Sequence, residues 1–235
     1  IINEAANWYY MNGGRLSAPV VIWGIINRGG EQASQHSQAL HAMFAHSPGL
    51  KVVMPATPYD AKGLMVAAIR DNNPVVFIDD RWLYNLEEHV PNEVYEVPIG
   101  EAAVRRQGRD VTVVAISYMC VNALRAAETL EDKGFDVEVI DLRSLKPLDE
   151  ATILTSVRKT GRLVVADVGW SSYGASAEIV ARVAGKAFGA LKAPIQRVAL
   201  PDVPAPMSAP LEKAYYPGAQ QIIDAVEIVA AYNNG

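Results

Sequence analysis

The tetrapeptide Gln35-His36-Ser37-Gln38 is the strongest local candidate for chemistry in this chain. It follows the glycine-bearing loop Arg28-Gly29-Gly30 and precedes an apolar, helix-like run through Leu40, Met43 and Phe44. A histidine at a loop-to-helix junction, flanked by Gln and Ser, can be oriented by neighbouring hydrogen bonds. Imidazole titrates near neutrality and suits proton transfer. The same spacing also suits a histidine kept for structure alone. His41, His46 and His89 are weaker candidates, and His36, His41 and His46 stand five apart, so they do not stack on one helix face as metal ligands at i and i+4 would.

Two further segments could carry a site. Ala68-Ile69-Arg70-Asp71-Asn72-Asn73-Pro74 ends a helix, where carbonyl oxygens are unpaired and partial negative charge gathers. With Asp and Asn beside them, those oxygens could hold a hard cation, although an ordinary C-cap and turn fits equally. Asp167-Val168-Gly169-Trp170-Ser171-Ser172-Tyr173-Gly174 stands at a strand end before a helix, where open α/β sheets form ligand crevices. Its glycines are too sparse for a dinucleotide fingerprint, and Ser171 and Ser172 read as helix caps rather than nucleophiles. No phosphate-binding P-loop, paired-cysteine metal motif or Gly-x-Ser-x-Gly elbow occurs. The single cysteine, Cys120, reads as a small core residue. One cysteine allows no intrachain disulfide, which fits a reducing cytoplasmic setting.

The elements that would position these residues alternate. Val20–Ile26, Lys51–Met54 and Val75–Ile78 read as buried strands. A helix begins at Thr57-Pro58-Tyr59-Asp60, with Thr57 as cap, Pro58 in the first helical position and Asp60 at the positive end. It runs to Arg70 and stops before Pro74. Residues 85–98 are polar and proline-bearing and read as a crossover linker. A second series follows, with strands at Val111–Ser117, Val137–Leu142, Arg162–Val168 and Ile195–Leu200. Its helices are at Val121–Lys133, Asp149–Arg158, Gly174–Leu191 and Gln220–Ala231. The alternation predicts βαβ units and a mostly parallel sheet, hence an α/β fold. Ile2, Ala5, Ala6 and Tyr9 fall at helical spacing, so the chain reads as opening inside a helix, with native sequence expected before residue 1. The net charge of -5 argues against a nucleic-acid binder, and no apolar run reaches the roughly 20 residues of a membrane span.

Taken in order, these stretches resemble the β-subunit of the thiamin diphosphate-dependent 2-oxo acid dehydrogenases, within the transketolase-like superfamily. The resemblance is carried by Tyr9-Tyr10-Met11 with Gly13-Gly14, by Gln35-His36-Ser37-Gln38 and by Ala45 to Val53. Asp60 to Leu64, Ala68 to Val76, Val139 to Arg143, Gly174 to Ile179, Pro201 to Pro204 and Leu211 to Ala214 continue it over nearly the whole chain. It implies that residues 1–92 are the later part of a pyrimidine-binding domain and residues 93–235 a complete transketolase C-terminal-type domain. It implies an oxidative decarboxylation with acyl transfer to lipoyl, in a heterotetramer of this chain, a second β-subunit and α-subunits, docked on a dihydrolipoyl acyltransferase core. His36 falls on the family's active-site histidine, and Val20, Ala68, Asp71 and Asn73 fall on a potassium site. The cofactor-activating glutamate is expected upstream of residue 1, and the diphosphate-binding Gly-Asp-Gly motif, with its Mg2+, on the α-subunit. By that reading these 235 residues alone would be inactive. Asp167 to Tyr173 is closer to the pyruvate-type pattern. The loop after Trp23-Gly24, where many relatives carry Arg-Gly, is bulkier and more charged than usual. The competing readings are a transketolase-type thiamin enzyme acting on a sugar or acetoin, and a non-catalytic assembly fragment.

Overall fold

The computed structural model describes residues 1–232. Helix α1 (Ala5–Met11) leads to β1 (Val21–Ile26), two short helices α2 (Ala33–His36) and α3 (His41–His46), β2 (Lys51–Val53), α4 (Pro58–Arg70) and β3 (Val75–Asp80). A 3-10 turn (Arg81–Asn85) and a stretch without helix or strand then lead to β4 (Ala103–Arg106), β5 (Val111–Ala115), α5 (Tyr118–Glu131), β6 (Val137–Asp141) and β7 (Ser144–Lys146). The rest comprises α6 (Glu150–Thr160), β8 (Leu163–Trp170), α7 (Ala175–Ala187), β9 (Gln196–Leu200), α8 (Ala209–Tyr215) and α9 (Ala219–Ala231).

Strands this apolar need cover on both faces, and most of them receive it. The second sheet runs β4-β6-β5-β8-β9 and is parallel except for β4. All five residues of β5 and of β6 are buried. Cys120 lies in this core, where burial pushes its thiol well above the usual value, so it behaves as a packing residue. Helix α4 begins as its residues require: the Thr57 hydroxyl accepts from the Asp60 backbone N–H at 3.1 Å, and Pro58 takes the first turn.

The first sheet runs β1-β3-β2-β7. Its fourth strand comes from beyond β6: Val52 and Val53 pair antiparallel with Lys146 and Ser144. Three residues carry no readable periodicity, which is why β7 is invisible in the sequence. The strand closes the β2 edge and leaves β1 as the other edge, with Trp23 62% and Ile25 46% exposed. A buried charge network also joins the two halves. Arg105 pairs with Asp60 and, at 2.9 Å, with Asp141, while Arg143 reaches Asp60 at 3.2 Å.

Other boundaries move. Residues 2–4 form a turn rather than the inside of a helix, and α1 starts at Ala5. The helix expected over Gly174–Leu191 ends at Ala187, where residues 188–190 tighten into a 3-10 turn. Ser171 and Ser172 do not cap it: Gly174 is the cap residue, and the free Ser176 N–H is taken by Asp167 instead.

Candidate active site

β1 and β3 are parallel neighbours in register from Val21↔Val75 to Ile26↔Asp80, so both chains leave the sheet at the same end. Loops at the carboxyl ends of parallel strands form crevices. Here they enclose a cleft of about 430 Å³ lined by Ile25, Asn27, Gln35, His36, Arg81 and Tyr84.

His36 is the last residue of α2 and is exposed to this cleft. Its position comes from the backbone. The Asn27 N–H donates to the His36 carbonyl at 3.0 Å, and the Ser37 hydroxyl donates to the Asn27 carbonyl at 3.3 Å. The Asn27 side chain holds the rest of the loop, donating to Gln32 Oε1 at 3.1 Å and accepting from Arg81 Nη1 at 2.5 Å. Under the cleft, Asp79 Oδ2 accepts from Trp23 Nε1 at 3.0 Å and from the Tyr84 hydroxyl at 3.2 Å, while its Oδ1 is buried without a partner. Burial raises the Asp79 carboxyl above its usual range, against the pull of those two donors.

The charged loop that departs from the family has a structural explanation. Arg28 is 2% exposed and forms an ion pair with Asp80. Its guanidinium lies 4.4 Å from the Trp82 ring centre, 5.4 Å from Tyr118 and 5.5 Å from Tyr216. Gly29, at φ +79°, passes so close to the Trp82 indole that a Cβ there would collide with it. Both Glu212 carboxylate oxygens accept from the Glu31 N–H at 3.2 Å, and Glu31 in turn accepts from the Ala209 N–H at 3.1 Å. The loop bearing His36 is thus braced by α5, α8 and the turn after α8.

His41, a weak candidate by sequence, is fully buried, and its Nε2 meets Asp167 Oδ1 at 3.0 Å. Asp167 also accepts from the Gly169 and Ser176 N–H groups at 2.9 Å each. Burial pushes the Asp167 carboxyl up, but the charge and hydrogen bond of His41 and these two N–H groups outweigh it and hold the carboxyl below 3.8, its ordinary value. A lowered carboxylate contributes stability above that value, and the contribution is lost as pH falls through the folded-state pKa. His41 lines a second cleft of about 1160 Å³. Its cations are already committed: Lys146 Nζ donates to the Ala45 and Ser47 carbonyls at 2.9 Å each, and Arg182 to Glu178 and Glu150 at 2.7 and 3.1 Å. The smaller cleft holds a cation, Arg81, that has no carboxylate partner among the described residues.

The four cation-site candidates gather before β3. The Val20 carbonyl accepts from the Val75 N–H at 3.0 Å and the Ala68 carbonyl from the Asp71 N–H at 3.3 Å. Asp71 Oδ1 accepts from the Asn73 N–H at 2.8 Å, and its other oxygen pairs with Lys51. Asn27, Asp79, Arg81 and Tyr84 were missed by sequence reasoning. Their one available signal was position, since they stand at or just past the ends of two parallel strands.

The pyrimidine-binding domain of transketolase matches residues 2–87, and the transketolase C-terminal domain matches residues 100–222. The pyruvate dehydrogenase E1 component subunit beta of Rickettsia felis is 44% identical over 99% of this chain and 72% of its own length. The chain belongs to the β-subunit family of the 2-oxo acid and acetoin dehydrogenases. Another member of this β-subunit family, the acetoin:2,6-dichlorophenolindophenol oxidoreductase subunit beta of Cupriavidus necator, is 50% identical over 94% of this chain and 66% of its own length. The pyruvate dehydrogenase E1 component subunit beta of Rhizobium meliloti is 46% identical over 97% and 50%. The chain therefore spans one half to about two thirds of these two relatives. A solved structure described as a split-gene transketolase, inactive beta4 tetramer, shares the β-subunit fold with a TM-score of 0.75 at 25% identity, covering 91% of this chain and 67% of that one. Among the described residues no helix is long and apolar enough to cross a membrane.

Proposed function

We propose that this chain serves as the β-subunit of a 2-oxo acid dehydrogenase component that decarboxylates its substrate, pyruvate favoured, and passes the acyl group to lipoyl. The observation that carries this reading is the placement of His36. It lies at the mouth of a cleft at the carboxyl ends of two parallel strands, clamped by Asn27 and facing the same space as Arg81.

The residues fit one end of thiamin diphosphate. Ile25, Tyr84 and the neighbouring Trp23 offer an apolar wall for a ring, with the orphaned Asp79 Oδ1 beneath it. The diphosphate and Mg2+ are assigned to the α-subunit, where the family resemblance puts the diphosphate-binding Gly-Asp-Gly motif, a tripeptide that these 235 residues do not contain. When bound, thiamin diphosphate supplies the electron sink that decarboxylation needs. This chain contributes the apolar wall and offers the His36 imidazole as a proton donor and acceptor toward the lipoyl sulfur. The partners assigned are an α-subunit, a second β-subunit and a dihydrolipoyl acyltransferase core, in the cytoplasm.

Acetoin is the second reading, because a relative at 50% identity is named for it. Assembly with the α-subunit, followed by measurement of substrate-dependent lipoamide reduction, separates the possibilities. Pyruvate should support reduction and acetoin should not. Reduction by acetoin alone would move the chain to the second reading, and reduction by neither would leave it an assembly module.

The carbonyls of Val20 and Ala68, with Asp71 and Asn73, are proposed to hold K+. Lys51 already neutralises the Asp71 carboxylate, so the carbonyl oxygens would do most of the binding. Thermal unfolding in KCl should occur at higher temperature than in tetramethylammonium chloride at equal ionic strength. Identical melting curves would remove the site.

A further inference from the structure

Two features of the His36 cleft are left over once proton transfer is assigned. Among its lining residues, Arg81 carries the only permanent charge, and Arg81 is exposed. It has no carboxylate partner among the described residues. Its one recorded hydrogen bond, from Nη1 to Asn27 Oδ1 at 2.5 Å, leaves the other guanidinium donors free. The cations of the larger cleft, by contrast, are satisfied by carbonyls and carboxylates. Asn27 also ties Arg81 to the catalytic histidine, since its side chain orients the guanidinium while its backbone N–H holds the His36 carbonyl.

A guanidinium held at one corner with its fork free matches a planar carboxylate, which it can grip with two parallel hydrogen bonds. Tyr84 cannot compete for that role, because its hydroxyl is committed to Asp79. The remaining lining groups, Ile25, Asn27 and Gln35, are neutral. We propose that Arg81 is the specificity-determining residue of this cleft: it grips the carboxylate of a 2-oxo acid and so selects an anionic substrate over a neutral hydroxyketone. The proposal rests on the 2-oxo acid reading above. The carboxylate is present in full before reaction begins and leaves as CO2, so the grip is strongest in the ground state, and its loss raises Kd and KM without lowering kcat.

The test uses the assembled α/β protein. Tryptophan fluorescence is titrated with pyruvate, methyl pyruvate and acetoin in the absence of thiamin diphosphate, and KM and kcat are measured separately with the cofactor. Arg81→Gln should raise both the Kd and the KM for pyruvate about 10-fold, the low end for a charge-assisted contact at an exposed site, without lowering kcat and with a much smaller change in the acetoin Kd. The unmodified protein should bind methyl pyruvate, which lacks the charge, about 10-fold more weakly than pyruvate, a comparison that does not depend on a variant folding. Equal affinity for pyruvate and methyl pyruvate, or an unchanged pyruvate Kd in Arg81→Gln, would overturn the assignment of Arg81 while leaving a pyruvate-active enzyme intact. If pyruvate neither binds nor turns over, the 2-oxo acid reading falls and Arg81 falls with it.

Discussion

His36→Ala in the assembled α/β enzyme is expected to slow acyl transfer to lipoyl by about 10²–10⁴-fold, the range for loss of a general acid–base group. Cofactor affinity should change little. The imidazole is exposed at the end of α2, and the loop is held through the His36 carbonyl and Asn27, so removing the ring leaves the local fold in place. Single-turnover acylation, followed beside equilibrium binding of thiamin diphosphate, separates the two effects. An unchanged acylation rate would reduce His36 to a structural residue. A large loss of cofactor affinity with normal acylation would place its work on the ring site instead.

Asp60→Ala is expected to cost about 3 kcal/mol of stability, the lower part of the range for breaking a buried ion pair. The Asp60 side chain is 1% exposed, and it receives Arg105 from β4 and Arg143 from the turn after β6. Removing the carboxylate leaves Arg143 short of a charged partner, while Arg105 keeps Asp141 at 2.9 Å. That remaining pair, and the 24% exposure of Arg105, place the expected cost near the lower end rather than at the 5 kcal/mol extreme. The variant also gives up the contact from Thr57 Oγ1 to Asp60 Oδ2 at 3.3 Å in the first turn of α4. Urea unfolding at neutral pH should show the midpoint fall with little change in slope. A loss below about 1 kcal/mol, the size of a surface pair, would mean that the network contributes little to holding the halves together.

Much of the frame was legible from chain order alone. Helix α4 was readable because every signal that starts and stops it is local: Thr57, Pro58 and Asp60 at one end, and Asp71 to Pro74 at the other. Strands β3, β5, β6 and β8 were readable because a strand buried on both faces must be apolar almost throughout, whereas β1, equally apolar and read as buried, stands at the sheet edge with Trp23 and Ile25 exposed. His36 could be singled out as a candidate because it falls within a run of family-like residues. Its partners were not. Arg81 and Tyr84 reach the same cleft only because β1 and β3 lie side by side and end together, and that pairing is a property of the sheet. His41 and Asp167 stand 126 residues apart, and the spacing around either one says nothing about the other. The same holds for β7, whose three residues gain meaning only against β2, and for Arg28, whose charge makes sense only inside a ring of Trp82, Tyr118, Tyr216 and Asp80. Periodicity and capping record interactions between near neighbours along the chain, which sequence spacing reports directly. A buried charge is stable only if a distant partner meets it, and which partner does so is decided when the sheets pack and water is excluded.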